Sequence, residues 1–138
     1  MFLKRAGLSN ELKELLEVET RLLEGSRPAC KHAAFSARNL MEGLADNLFP
    51  HNGNESNDGQ HSLGPKDHKN RLIAYVFARL KGELEGHEKR AFTGMMDVIM
   101  RWTGSGPHGA YRHEDTEHMY TRMLDALTVV ARAFEAAG

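Results

Sequence analysis

Residues 116–135 read TEHMYTRMLDALTVVARAFE, and this stretch decides the fold class. Apolar side chains recur in it every three or four residues, which is the period of one face of an α-helix. They are Met119, Tyr120, Met123, Leu124, Leu127, Val130, Ala131 and Phe134. An apolar face of this length needs other helices to cover it. The stretch therefore predicts the last helix of an all-α protein, beginning near Asp115 or Thr116.

Four earlier segments show the same period and predict helices over about 9–25, 28–49, 67–84 and 88–102. Ser9 and Asp67 are of the residue types that cap helix N-termini, and Gly25 and Pro50 are of types that end helices. In the first segment we expect one buried stripe of five leucines. These are Leu12, Leu15, Leu16, Leu22 and Leu23.

Together these segments predict an antiparallel bundle of four to five helices in a single domain over 1–138. The second and last helices should supply the core, with Leu44 and Leu127 among its members. Between the second and third helices, residues 51–66 are rich in Asn, Gly and His. This composition favours a long flexible loop.

The charge composition limits the kinds of partner. Lys and Arg total 18 and Asp and Glu total 19, for a net charge of −1, and neither sign is concentrated in one part of the chain. A domain that binds duplex nucleic acid usually shows a basic stripe, so contact with RNA would have to be local or arise in an oligomer. The apolar runs are too short to span a membrane. The single cysteine, Cys30, suits a reducing compartment. We therefore expect a cytoplasmic protein.

Candidate functional residues cluster before the last helix. Arg101 ends the fourth helix, Ser105, Gly106 and His108 lie in a glycine-rich turn, and Arg112 and His113 lead into the last helix. Cations, imidazoles and backbone N–H groups near a helix N-terminus favour an anion such as phosphate, and a histidine there can transfer a proton. The alternative is structural, because turn formation and helix capping use the same residue types.

A metal site and a cofactor are not expected. The histidines at 113 and 118 are five residues apart, whereas the zinc motif His-Glu-x-x-His requires a spacing of four. The sequence contains no dinucleotide fingerprint, phosphate-loop lysine or Gly-x-Ser-x-Gly motif, and Cys30 has the setting of a buried structural thiol.

Three short stretches resemble HEPN-like helical domains of bacterial abortive-infection and toxin–antitoxin systems. They are SARNLMEGLA over 36–45, KNRLIAY over 69–75 and GSGPHG over 104–109. The resemblance implies a domain of a bacterial defence or conflict system that binds RNA or cleaves it without metal. It further implies that Arg101 and His108, with six residues between them, are the catalytic pair. Ser105, Gly106, Arg112 and His113 would bind the substrate.

The sequence departs from the family pattern at Trp102, where a polar residue is usual. Trp102 is in register with the apolar face of the fourth helix, so it favours a second interpretation, a catalytically silent helical dimerisation or interaction domain. Under either interpretation we expect a homodimer, since the family commonly dimerises and since the alanines and methionines exceed what a core of this size needs. A protein partner from the same defence system is also expected.

Overall fold

The computed structural model describes residues 2–50, 63–104 and 112–136. Within these ranges the chain forms six α-helices and no strand, which confirms the predicted all-α helical bundle. Their bounds are α1 Phe2–Arg5, α2 Ser9–Glu24, α3 Arg27–Leu48, α4 His68–Arg79, α5 Gly86–Thr103 and α6 His113–Ala136.

Helix α3 lies at the centre of the bundle and contacts α2, α4, α5 and α6. The N-terminus of α3 is capped by the Ser26 side chain, which accepts a hydrogen bond from the Ala29 N–H at 3.2 Å. Pro28 occupies the first turn of α3, where a backbone N–H has no partner within the helix. The alanines of α3 allow neighbouring helices to approach closely. Ala33, Ala37 and Ala45 are fully buried, as are Leu40 and Leu44. The prediction that Leu44 and Leu127 belong to the core is confirmed.

Helix α2 packs antiparallel to α3, and its predicted leucine stripe is partly wrong. Leu15 is buried, but Leu16 is 51% exposed and Leu23 is 90% exposed. Val18, which we did not assign to the stripe, is fully buried instead. The predicted stripe is too wide for a helix that packs mainly against one neighbour, so its outer leucines lie beyond the contact.

The remaining differences concern helix ends. Helix α4 ends at Arg79 and not near Leu84, because Gly82 has a φ of 84° and turns the chain toward α5. The short helix α1 was not predicted. Phe2 and Leu3 are buried in the core, and the Phe2 ring lies 5.3 Å from the Phe134 ring, so α1 depends on tertiary packing.

A hydrogen bond joins α2 to α6 at Tyr120. Its hydroxyl donates to Glu19 Oε1 at 2.8 Å. Burial of the ring, together with this bond to a carboxylate, raises the pKa of Tyr120 to about 12. The phenol therefore stays protonated and donates this bond throughout the neutral pH range.

The methionines and alanines that led us to expect a homodimer lie inside a single chain. Met96, Met119 and Met123 are buried in the core together with the α3 alanines. Met95 is partly buried against the same core, so these residues give no separate reason for a dimer, and the homodimer stays a prediction. No helix in the described ranges combines the length and the apolar character that a membrane span requires.

The loop predicted over 51–66 lies mostly outside the described residues, which resume at Leu63. Leu63 is buried, and the Gly64 N–H donates to Asp67 Oδ2 at 2.9 Å. This end of the segment is thus attached to the start of α4.

We predict that Leu44→Ala lowers the free energy of unfolding by about 2–5 kcal/mol, because the side chain is fully buried and its removal leaves a cavity. Leu23→Ala is the matched control and should change it by less than about 0.5 kcal/mol. Chemical denaturation followed by circular dichroism measures both. Equal losses in the two variants would contradict the helix faces described here.

Candidate functional site

A groove of about 410 Å³ lies where the middle of α3, the start of α4 and the end of α5 meet. We call it the α3–α4–α5 groove. Its lining residues come from three separate parts of the chain. They are Arg38, Lys66, Asp67, His68, Lys69, Asn70, Met100 and Arg101. Of the predicted site residues, Arg101 lies here.

The groove is strongly cationic in a chain whose net charge is −1. Four of its lining side chains carry a permanent positive charge, Arg38, Lys66, Lys69 and Arg101, whereas Asp67 is the single carboxylate in the lining. Clustered cations in a concave surface raise the local concentration of anions. The groove is therefore a local cationic surface, as any contact with RNA would require in a chain of this net charge.

Arg38 is held in place by the end of α5. Its Nη1 donates to the Met100 carbonyl oxygen at 3.0 Å, and its Nε lies 3.3 Å from Glu42 Oε2. Gly104 makes this approach possible, since a Cβ atom there would lie 2.7 Å from Arg38 Nη1. The guanidinium thus adds a donor to a carbonyl in the last turn of α5, which also accepts the Gly104 N–H, and still lines the groove.

The start of α4 is attached to its neighbours by the side chains of Lys69 and His68. Lys69 Nζ lies 2.7 Å from Asp97 Oδ1 of α5. The His68 ring lies between two carboxylates of α3, with Nδ1 3.7 Å from Glu42 Oε2 and Nε2 3.5 Å from Asp46 Oδ1. These contacts fix the groove wall that α4 supplies.

Lys66 and Arg101 differ from Arg38 and Lys69, whose side chains are held by neighbouring residues. Both are exposed, and neither makes a hydrogen bond or an ion pair with any residue in the described ranges. Their charges are therefore the ones that remain available to a bound anion.

Arg71 holds the segment before α4 against the end of α3. It is fully buried, its Nη2 lies 2.7 Å from Asp46 Oδ1, and its Nη1 donates to the Phe49 carbonyl oxygen at 2.9 Å. Nη2 also donates to the Pro65 carbonyl oxygen at 3.2 Å. Since Pro65 precedes Lys66, this side chain positions one wall of the groove. The Phe49 carbonyl lies directly after the last residue of α3, where the helix offers no further N–H donor.

The predicted residues Arg112 and His113 lie elsewhere. With Gly25, Arg27 and Glu114 they line a second concavity, which we call the Arg112 depression. His113 Nε2 is 3.1 Å from the Leu22 carbonyl oxygen, and its Nδ1 is 2.9 Å from Glu117 Oε1. Both ring nitrogens of His113 are thus engaged with the ends of α2 and α6, as the structural alternative for this segment predicts.

The Arg112 depression and the α3–α4–α5 groove are separate. Arg27 lines the Arg112 depression and Arg38 lines the groove. The two residues are eleven positions apart on α3, so their backbones are about 16 Å apart along the helix. Trp102 packs against Cys30 and Ala34 between these two levels of α3. The structure therefore does not bring Arg101 together with Arg112 and His113. Ser105, Gly106 and His108 lie outside the described residues.

Two of the three stretches that resemble HEPN-like domains contribute residues to the groove lining, and the described part of the third is Gly104 alone. Arg38 comes from the first stretch, Lys69 and Asn70 come from the second, and Gly104, the first residue of the third, lies against Arg38. Sequence reasoning did not select Arg38, Lys66 or Lys69 as site residues. The sequence signal that could have identified them is their position: Arg38 and Lys69 lie within the first and second stretches, and Lys66 lies three residues before the second.

Within the described parts of the chain, no three His, Cys, Asp or Glu side chains are grouped so that they could hold a metal ion. Comparison of the chain with protein-family models, curated proteins and solved structures gave no match.

We predict that Arg71→Lys lowers the free energy of unfolding by about 2–4 kcal/mol, because a single ammonium nitrogen cannot occupy both positions from which Nη1 and Nη2 reach their acceptors, and part of these hydrogen bonds is lost. Arg101→Lys is the matched control, since Arg101 is exposed, and should stay within about 0.5 kcal/mol of the wild type. Thermal and urea denaturation measure both. Indistinguishable stabilities would show that Arg71 does not hold the groove wall.

Proposed function

We propose that this chain is a cytoplasmic HEPN-like domain of a bacterial defence or conflict system, which binds RNA in the α3–α4–α5 groove and cleaves it without metal. The observation that carries the proposal is the set of four cations in the groove lining. Phosphodiester groups are the anions that recur along RNA, and Lys and Arg are the side chains that neutralise them.

The roles of the four cations follow from their contacts. Arg38 and Lys69 already have acidic or carbonyl partners, so they set the shape and the potential of the groove. Lys66 and Arg101 lack a partner among the described residues and are the ones to contact a phosphate directly. An arginine suits this role because its planar guanidinium can bind two phosphate oxygens at once.

The proposed reaction is transfer within the RNA strand. The 2′-hydroxyl oxygen attacks the adjacent phosphorus, the bond to the 5′-oxygen breaks, and a 2′,3′-cyclic phosphate and a 5′-hydroxyl form. His108 moves the proton, accepting it from the 2′-hydroxyl or delivering it to the leaving 5′-oxygen. Arg101 stabilises the negative charge of the phosphorane. Ser105, Gly106, Arg112 and His113 remain the candidates for contacts elsewhere along the strand.

Binding is tested by fluorescence anisotropy with a labelled single-stranded RNA at several salt concentrations. We expect Lys66→Ala and Arg101→Ala each to weaken binding and to lower the slope of log K against log salt by about 0.7, the value for one phosphate contact on a single strand. Lys81→Ala is the matched control, because it removes the same charge from an exposed turn beyond the opposite end of α4. Equal effects at Lys81 and at the two groove cations would refute a site in the groove.

Cleavage is tested with the same RNA and with a tRNA pool, each with and without EDTA. The wild type should cleave in EDTA and leave a cyclic phosphate, and His108→Ala should reduce the rate about 10²- to 10⁴-fold. Arg101→Lys should also be impaired, since a point charge does not reproduce the guanidinium geometry. Intact RNA in every arm would refute the enzymatic part of the proposal. Whether the groove binds RNA would then be decided by the anisotropy measurement alone.

A second function, a catalytically silent homodimerisation domain, is favoured by a specific surface. Leu16 and Leu23 are exposed on α2, at helical spacing before and after Glu19, and Leu124 is exposed on α6, four residues after Tyr120. Glu19 and Tyr120 are joined by a hydrogen bond, so the faces that carry the three leucines adjoin. We call these three leucines the α2–α6 patch. Leu124 also lines an apolar depression of about 340 Å³. An apolar surface of this kind typically marks an interface.

Light scattering tests this alternative. The wild type should have twice the 15.5 kDa mass of one chain, and Leu16→Ser with Leu23→Ser should give single chains. Val98→Ser is the control, since Val98 is an exposed apolar residue of α5. A wild type that stays at the mass of one chain at tens of micromolar would refute homodimerisation through this patch.

A further inference from the structure

Phe35 is an aromatic side chain that the fold leaves exposed. It is 65% exposed on α3, whereas the other large apolar side chains exposed in the described ranges are aliphatic. Its ring makes no aromatic or cation–π contact with another described residue. Nothing in the packing of the bundle therefore requires a phenyl ring at this position.

The position of Phe35 connects it to the α3–α4–α5 groove. Arg38 follows it by three residues and Glu42 by seven, so the three share one face of α3. On that face Arg38 lines the groove, and Glu42 lies 3.7 Å from His68 at the start of α4. Phe35 does not line the groove itself, but it lies about one helical turn from Arg38 on the face of α3 that borders the groove.

We propose that Phe35 stacks on an unpaired base of the RNA whose phosphates bind in the groove, so that the substrate class is single-stranded RNA. The inference rests on the proposed function. Aromatic side chains beside a cationic groove are the usual platform for single strands, because every base offers a π face and the charges follow the backbone. In a duplex the bases are already stacked on each other, so their faces are closed to Phe35.

The test uses fluorescence anisotropy with a single-stranded 12-nucleotide RNA, the same RNA annealed to its complement, and an abasic 12-mer with the same number of phosphates. The wild type should bind the single strand most tightly. Phe35→Ala should weaken binding of the single strand about 5- to 100-fold and leave binding of the abasic strand unchanged. Phe35→Trp should retain binding, and Phe35→Leu, which keeps an apolar side chain without a π face, should lose most of it.

Folding does not confound this test, because the side chain is exposed and alanine is a better helix former than phenylalanine. Val98→Ala is the control for loss of an exposed apolar group, because Val98 is exposed on α5 and lies neither in the groove lining nor in the α2–α6 patch. If Phe35→Ala binds the single strand as tightly as the wild type while Lys66→Ala and Arg101→Ala bind weakly, the stacking inference is overturned and the proposed function stands. If the wild type prefers the duplex, the inference is also overturned. If it binds none of the three RNAs, both fail.

Discussion

The structure depends on one packing constraint, which is that α3 must accommodate four other helices around its circumference. Close approach on several sides is possible only where side chains are small, and the buried alanines of α3 meet this requirement. A larger residue at Ala33 or Ala37 would force at least one neighbour outward, at a typical cost of about 1–3 kcal/mol. What remains uncovered is a narrow strip of α3 that includes Phe35 and Asp46.

The groove arises where this strip meets the ends of other helices. The start of α4 and the end of α5 converge on it, and helix ends carry polar groups that need partners. Arg38 serves the end of α5 and Arg71 serves the end of α3, so two guanidinium groups are already required for structure. Because the acidic partners Glu42, Asp46 and Asp97 do not line the groove, its surface remains cationic although the chain as a whole is not.

Periodicity was enough to predict α3, α6 and the all-α class, because long apolar faces have few alternative structures. It was not enough for Leu16 and Leu23, whose burial depends on how wide a face the neighbouring helix covers, or for α1, which forms because Phe2 and Leu3 find a place in the core. Prediction of the site residues is limited in the same way, because a local pattern does not show which distant residues the fold brings together. Arg101 was predicted from its local pattern, whereas Arg38 and Lys66 join it only through the tertiary fold. Arg112 and His113 are near Arg101 in sequence but line a different concavity.

The charges of the groove also limit how tightly it can bind by electrostatics alone. Two cations without partners among the described residues correspond to a salt slope of only about 1.4 on a single strand, far below that of proteins that bind nucleic acid through many phosphate contacts. A useful affinity would then need an additional, salt-insensitive term. The stacking proposed for Phe35 would supply one such term, and in a dimer a second copy of the groove would supply another through avidity. The two sources differ physically, because stacking depends on the faces of the bases, whereas avidity depends on the length of RNA that spans both grooves.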